Sequence, residues 1–183
     1  MALLSRPALS LAFVLAATIA ILVALGRPPV CTCGTLELWG EVGPRQSQML
    51  ADWYSLSHVV HGFLFYLGLR WAAPRWPVER RFVIALLVEA AWEVVENMPL
   101  IIDRYREATI ALGYSGDTIL NSVSDMVMMA LGFLAARKLP WWGSVLAVLA
   151  LEVIPLIAIR DNLALNVLML VAPNDTVRSW QAG

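Results

Sequence analysis

The chain has only two histidines, and they sit three residues apart in Ser57-His58-Val59-Val60-His61-Gly62. On a helix that spacing places both imidazoles on one face. Further on, Glu89, Glu93 and Glu96 follow at i, i+4 and i+7, trailed by Asn97, so three carboxylates share one helical stripe. A third set, Asp117, Asn121 and Asp125, repeats every four residues. Imidazole with carboxylate is a donor set suited to zinc, iron or manganese. Three like charges on one dry face also need neutralising by protons, a cation or water. The chemistry open to these residues is therefore divalent-metal ligation, a proton or ion pathway, or a buried polar network that holds helices in register.

The elements that must carry these residues follow from composition. Of 183 residues, 60% are hydrophobic and only 15% charged, with mean hydropathy +0.70. An ordinary soluble domain is about 25% charged, and a soluble chain this short cannot bury so much apolar surface. The expected fold is all-α: a polytopic transmembrane bundle forming a single integral membrane domain over residues 1–183. The net charge of −1 argues against a nucleic-acid partner. A span needs about 20 mostly apolar residues. Five runs qualify, over 7–26, 55–73, 82–102, 118–136 and 141–159. The stretch 163–171 is too short to cross and is expected as an interfacial or re-entrant helix. The first run resembles a signal sequence, but Leu25-Gly26-Arg27-Pro28-Pro29 is a poor cleavage context, so it is read as a retained anchor.

Basic residues in short loops set orientation. Arg70, Arg75, Arg80 and Arg81 fall in one loop, and Arg137 and Lys138 in another. Both loops belong in the cytoplasm, so a multi-pass topology is expected, with the N-terminus cytoplasmic and the C-terminus on the far, periplasmic side. Trp53, Tyr54, Trp71, Trp76, Trp141 and Trp142 fall at span ends, as an aromatic belt would. Measured from the outer ends at helical rise, His58 and His61 lie roughly 5–10 Å down, Glu93 and Glu96 roughly 9–14 Å, and Asn121 and Asp125 roughly 5–12 Å. Glu89 sits deeper. Ionisable groups within spans avoid lipid, so one polar site opening to the periplasmic face is expected.

Within that site His58, His61, Glu93, Glu96 and Asp125 are the candidate metal ligands. Glu96, Asp125 and Asp52 are the candidate catalytic acids or bases, and Asn97, Asn121, Asp117, Arg104 and Arg106 the candidate substrate-binding groups. Arginine suits phosphate or carboxylate, although the run Asp103–Glu107 could equally pair internally. Ser57 and His61, four apart, could act as nucleophile and base, and Glu152 could complete the cluster. An oxidising periplasm would permit a disulfide between Cys31 and Cys33, but a bridge between residues two apart is strained, so a metal or redox pair, or thiols in a structural turn, is expected. Gly62, Gly68 and Gly132 are expected to permit close helix packing.

The string Cys31-Thr32-Cys33-Gly34, then Asp52-Trp53-Tyr54-Ser55, Ser57-His58-x-x-His61-Gly62, Glu89-Ala90-x-Trp92-Glu93-x-x-Glu96-Asn97 and Gly116-Asp117-Thr118 with Asn121-Ser122 and Asp125, resembles an uncharacterised family of bacterial multi-pass inner-membrane proteins. That resemblance covers about residues 31–137 and implies a multi-pass membrane location without an activity. Asp52, His58, Glu96, Asp117 and Asn121 also resemble the pattern of VanZ-like membrane proteins, which implies envelope association and no defined reaction. The functional expectation is a metal-dependent hydrolase or lipid-modifying enzyme, with a carboxylate as general base and an amphiphilic or lipid substrate. The alternatives are an accessory subunit with a membrane-complex partner, a small transporter, or an aspartyl enzyme pairing Asp125 with Asp52 or Glu96.

Overall fold

The computed structural model describes residues 6–109 and 113–183. Among the described residues eight helices run in order: α1 (Arg6–Ala24), α2 (Ser55–Ala72), α3 (Val78–Glu96), α4 (Pro99–Ala108), α5 (Ile119–Lys138), α6 (Trp141–Ile159), α7 (Leu163–Val171) and α8 (Asp175–Ala182). No strand occurs among the described residues beyond an isolated bridge of Trp39 with Ala51. The fold is all-helical, as composition requires.

Among the described residues two helices, α5 and α6, are long and apolar enough to cross a membrane. The five expected crossings are therefore not supported: by length and composition only these two helices qualify among the described residues. Polar and charged side chains on α2 and α3 explain the difference. Glu79, Arg80, Arg81, Glu89, Glu93 and Glu96 all lie on α3, and Glu89 and Glu93 are completely buried. Glu79 and Arg80 are exposed, so only part of this charge turns inward. Outside, the bundle is apolar: Phe13, Leu67, Trp71, Trp141, Leu146 and Ile157 are all exposed, an apolar surface that water does not favour.

The expected third span, 82–102, is broken. α3 ends at Glu96, and α4 begins with Pro99 in its first turn, where a missing N–H costs nothing. Asn97 makes the break by donating its side-chain amide to the Glu93 carbonyl at 3.0 Å, capping α3 instead of extending it. At the C-terminus α7 matches the short helix expected there. α8 was not expected, because its eight largely polar residues carry no apolar run.

The bundle core joins α1, α3 and α5 through Val14, Ala85, Leu86, Ala90, Met126, Met129 and Phe133. α2 crosses α5 more closely than ordinary side chains allow. A Cβ on Gly62 would collide with the Met129 carbonyl and the Phe133 amide, and one on Gly132 with the Val59 carbonyl. Gly68 does not share this role: a Cβ there meets nothing. The segment before α2 folds over the start of α5. Carbonyls of Pro28, Pro29 and Ser47 accept from the Ile119, Leu120 and Thr118 amides at 2.9–3.1 Å, which satisfies donors a helix start leaves orphaned. Cys31 and Cys33, in this segment, are joined as a disulfide.

Candidate functional site

The polar residues of α2, α3 and α5 meet inside the bundle. Glu89 lies beneath both histidines: its Oε1 is 2.5 Å from His58 Nδ1 and its Oε2 is 3.1 Å from His61 Nδ1. His61 is also stacked on Phe65 and set edge-on to Trp92, so its ring plane is fixed by packing. On the other side, His58 Nε2 lies 3.8 Å from Asp125 Oδ2. Glu93 Oε1 is 3.5 Å from His58 Nδ1, and neither Glu93 oxygen takes a hydrogen bond although both are buried.

Two overlapping sets of donors could hold a metal ion: His58, His61 and Glu89, and His58, Glu93 and Asp125. In each set the ligating atoms lie within 4.8 Å of one another. A metal with ligands at about 2.0–2.2 Å spans roughly twice that distance, so modest side-chain movement closes either set. The unsatisfied Glu93 carboxylate is the feature that fits a cation best, since a buried anion without donors is costly.

A second polar tier lies above this one. Asn97 and Asp117 grip each other: the Asn97 amide donates to Asp117 Oδ2 at 2.7 Å, and the Asp117 backbone N–H donates to Asn97 Oδ1 at 2.8 Å. Tyr114 donates its hydroxyl to Asp117 Oδ1 at 2.9 Å. Burial pushes the Asp117 carboxyl above its ordinary value, and the hydrogen bonds from Asn97 and Tyr114 oppose that rise. Arg27 clasps the backbone here through the Asp117 and Ser115 carbonyls at 2.9 and 2.7 Å. Between the tiers a cavity of about 20 Å³ touches Tyr54, His58, Glu96, Tyr105, Asp117 and Asp125. That is room for a single water-sized group, which needs about 10–15 Å³. Tyr54, His58, Glu96 and Tyr105 also border a larger, mainly apolar chamber of about 400 Å³ that continues along Phe65, Trp92 and Leu163.

The family model described as "Protein of unknown function (DUF2585)" matches residues 22–183. The chain belongs to this family. A UPF0314 protein of Sphingopyxis alaskensis is 55% identical over 166 residues, covering 90% of this chain and 88% of the relative. One from Paracoccus denitrificans is 53% identical over 163 residues, covering 88% and 84%. One from Novosphingobium aromaticivorans is 48% identical over 178 residues, covering 91% and 88%. No solved structure matches. The expected kinship with an uncharacterised bacterial family is thus shown.

In this DUF2585 chain the candidate residues fall into three groups. His58, His61, Glu93 and Asp125 come together, with Glu96 at the border of the small cavity. Asn97 and Asp117 form the upper tier, while Asn121 is fully buried with neither side-chain polar atom hydrogen-bonded. Arg104 and Arg106 are not brought to the cluster. Arg104 donates to the Leu170 carbonyl at 3.0 and 2.9 Å, tying α4 to α7, and Arg106 donates to the Tyr114 carbonyl at 2.6 Å. Glu152 is also elsewhere, accepting from the Ala164 amide at the start of α7. His61 Nδ1 faces Glu89 and not Ser57.

Asp52 is a cap. Its Oδ1 accepts from the Tyr54 and Ser55 amides and its Oδ2 from the Ser47 amide, at 2.7–3.2 Å. Ser55 returns a contact, accepting from the Asp52 amide at 3.1 Å, and donates to Asp125 Oδ1 at 2.7 Å. Burial raises the Asp52 carboxyl and these amides pull it back. Asp52→Ala strands three amide donors, two of them buried, so it is expected to cost about 2–4 kcal/mol. Thermal unfolding in detergent checks this, and a change below half a degree would contradict the cap.

Residue counting places Glu89 deeper than the other polar groups, yet both histidines reach it from the facing helix. Tyr54 looked like a belt residue but donates its hydroxyl to Asp161 at 2.9 Å inside the site. The usable signal was position: Tyr54, Tyr105 and Tyr114 all flank the polar ends of helices.

Proposed function

We propose that the chain is a bacterial inner-membrane protein that binds a divalent metal at His58, His61, Glu89, Glu93 and Asp125 and acts as a hydrolase or lipid-modifying enzyme on an amphiphile. The single observation that carries this reading is Glu93: a buried carboxylate without a hydrogen bond, facing His58 and close to Asp125. The proposed topology has α1, α2, α3, α5 and α6 as five crossings, with the N-terminus cytoplasmic and the C-terminus periplasmic. The exposed apolar belt and the gathering of Arg70, Arg75, Arg80, Arg137 and Lys138 at one end support it.

A divalent cation held here supplies a Lewis acid for a carbonyl or phosphoryl oxygen. The protein's own residues do the rest. Glu89, within reach of both imidazoles, would join them as a ligand to the ion. Ser55 orients Asp125. Glu96, hydrogen-bonded by Tyr105, stands between the small polar cavity and the apolar chamber, where it takes a proton from attacking water. The apolar chamber takes the substrate's hydrocarbon part, which sets its polar bond against Glu96 and His58. Substrate enters from the outer leaflet.

The second reading, an accessory subunit or small transporter with a structural polar network, is favoured by the Asn97–Asp117–Tyr114 and Asp52–Ser55–Asp125 hydrogen bonds. Metal analysis of the detergent-purified chain tests the first. About one zinc, iron or manganese per chain is expected, lost in the double variant His58→Ala with His61→Ala. Well under one metal per chain, unchanged by that variant, overturns it.

A further inference from the structure

A second cleft lies on the other side of α2 from the histidines. α6 buries almost none of its side chains, and between it, α2 and the end of α5 is an opening of about 660 Å³. Its walls are apolar, with Phe63, Leu64 and Leu67 on α2 facing Val145, Val148 and Leu149 on α6. Its mouth holds Arg70 and Arg137, and no acidic residue lines it. Each arginine sits in the last turn of its helix, and both are exposed. Among the described residues neither makes an ion pair or a side-chain hydrogen bond. Trp141, exposed at the start of α6, lies at the same mouth.

An apolar slot ending in two free guanidinium groups beside an interfacial tryptophan matches one kind of occupant. Guanidinium is shaped for the paired oxygens of a phosphate, and the slot is shaped for hydrocarbon. We propose that this cleft binds one anionic phospholipid, its phosphate on Arg70 and Arg137 and an acyl chain between α2 and α6. A zwitterionic headgroup would place an ammonium near two like charges, which selects against it. The proposal rests on the membrane location but is independent of the metal-site reading.

Native mass spectrometry of the full chain, titrated with phosphatidylglycerol or with phosphatidylcholine of the same acyl chains, tests it. One retained phosphatidylglycerol per chain is expected, bound about tenfold more tightly than phosphatidylcholine. In Arg70→Gln with Arg137→Gln the preference disappears, and in Val148→Trp, which fills the slot, both lipids are lost. Equal retention of the two lipids by the unaltered chain overturns the proposal, as does a preference that survives the double arginine variant. Displacement of the lipid by inorganic phosphate alone, without loss of affinity in Val148→Trp, overturns it too, because the acyl chain then contributes nothing.

Discussion

Glu93→Gln is expected to abolish metal retention and at the same time to stabilise the metal-free protein. Both effects have one cause. The carboxyl group is buried and takes no hydrogen bond, so without a cation an unsatisfied polar group opposes folding. Glutamine keeps the shape, cannot ionise, and offers two N–H donors toward His58 and Asp125. The gain is about 1–3 kcal/mol, read as a higher Tm of the chain purified in chelator. Zinc affinity falls at least about 100-fold, the upper end for losing a group that merely orients a ligand. A structural network predicts the opposite sign, since Glu93 then serves as the partner of His58 at 3.5 Å. A lower Tm in Glu93→Gln, with unchanged metal content, would decide for the network. The result also separates functional strain from error in folding: proteins hold unfavourable groups where function needs them.

Gly62→Leu and Gly132→Leu should each prevent the bundle from assembling. At both positions the obstruction is backbone of the partner helix, not the end of a flexible side chain. Neither helix can yield locally, so α2 and α5 must separate along their shared length. That separation pulls His58 from Asp125 and Ser55 from Asp125, because all of these contacts bridge the same two helices. The cost is more than about 3 kcal/mol, above the usual range for overpacking, and the measurement is the yield of monodisperse protein. Gly68→Ala is the control. It meets open space and improves helix propensity by about 0.5–1 kcal/mol, so it should express at least as well as the parent. Monodisperse, folded Gly62→Leu would show that the two helices do not need the close crossing.

The helical, apolar character of the chain and the grouping of its polar residues were legible because both are properties of local pattern. Spacing alone puts His58 with His61, Glu89 with Glu93 and Glu96, and Asn121 with Asp125 on single faces, since 3.6 residues per turn is independent of tertiary context. A common depth along three helices then followed from counting residues. Gly62 and Gly132 could be suspected of close packing, but Gly68 carries the same sequence signal and has no such neighbour.

Which partner each polar group takes was decided in three dimensions. Helix rotation about its own axis is not encoded in spacing, and it placed Glu89, not Glu96, under both imidazoles. The end of α3 depended on Asn97 finding Asp117 twenty residues away, a pairing that competes with helix continuation through an otherwise apolar run. Arg104 and Arg106 read as ligand-gripping groups until α7 and Tyr114 supplied carbonyls within reach. The sequence by itself determined that this is a helical, apolar-coated chain carrying imidazoles and carboxylates on inward faces, because periodicity and composition act over a few residues. Only the tertiary structure decided that Glu93 is left without a donor, because hydrogen-bond satisfaction depends on every element that surrounds a buried atom.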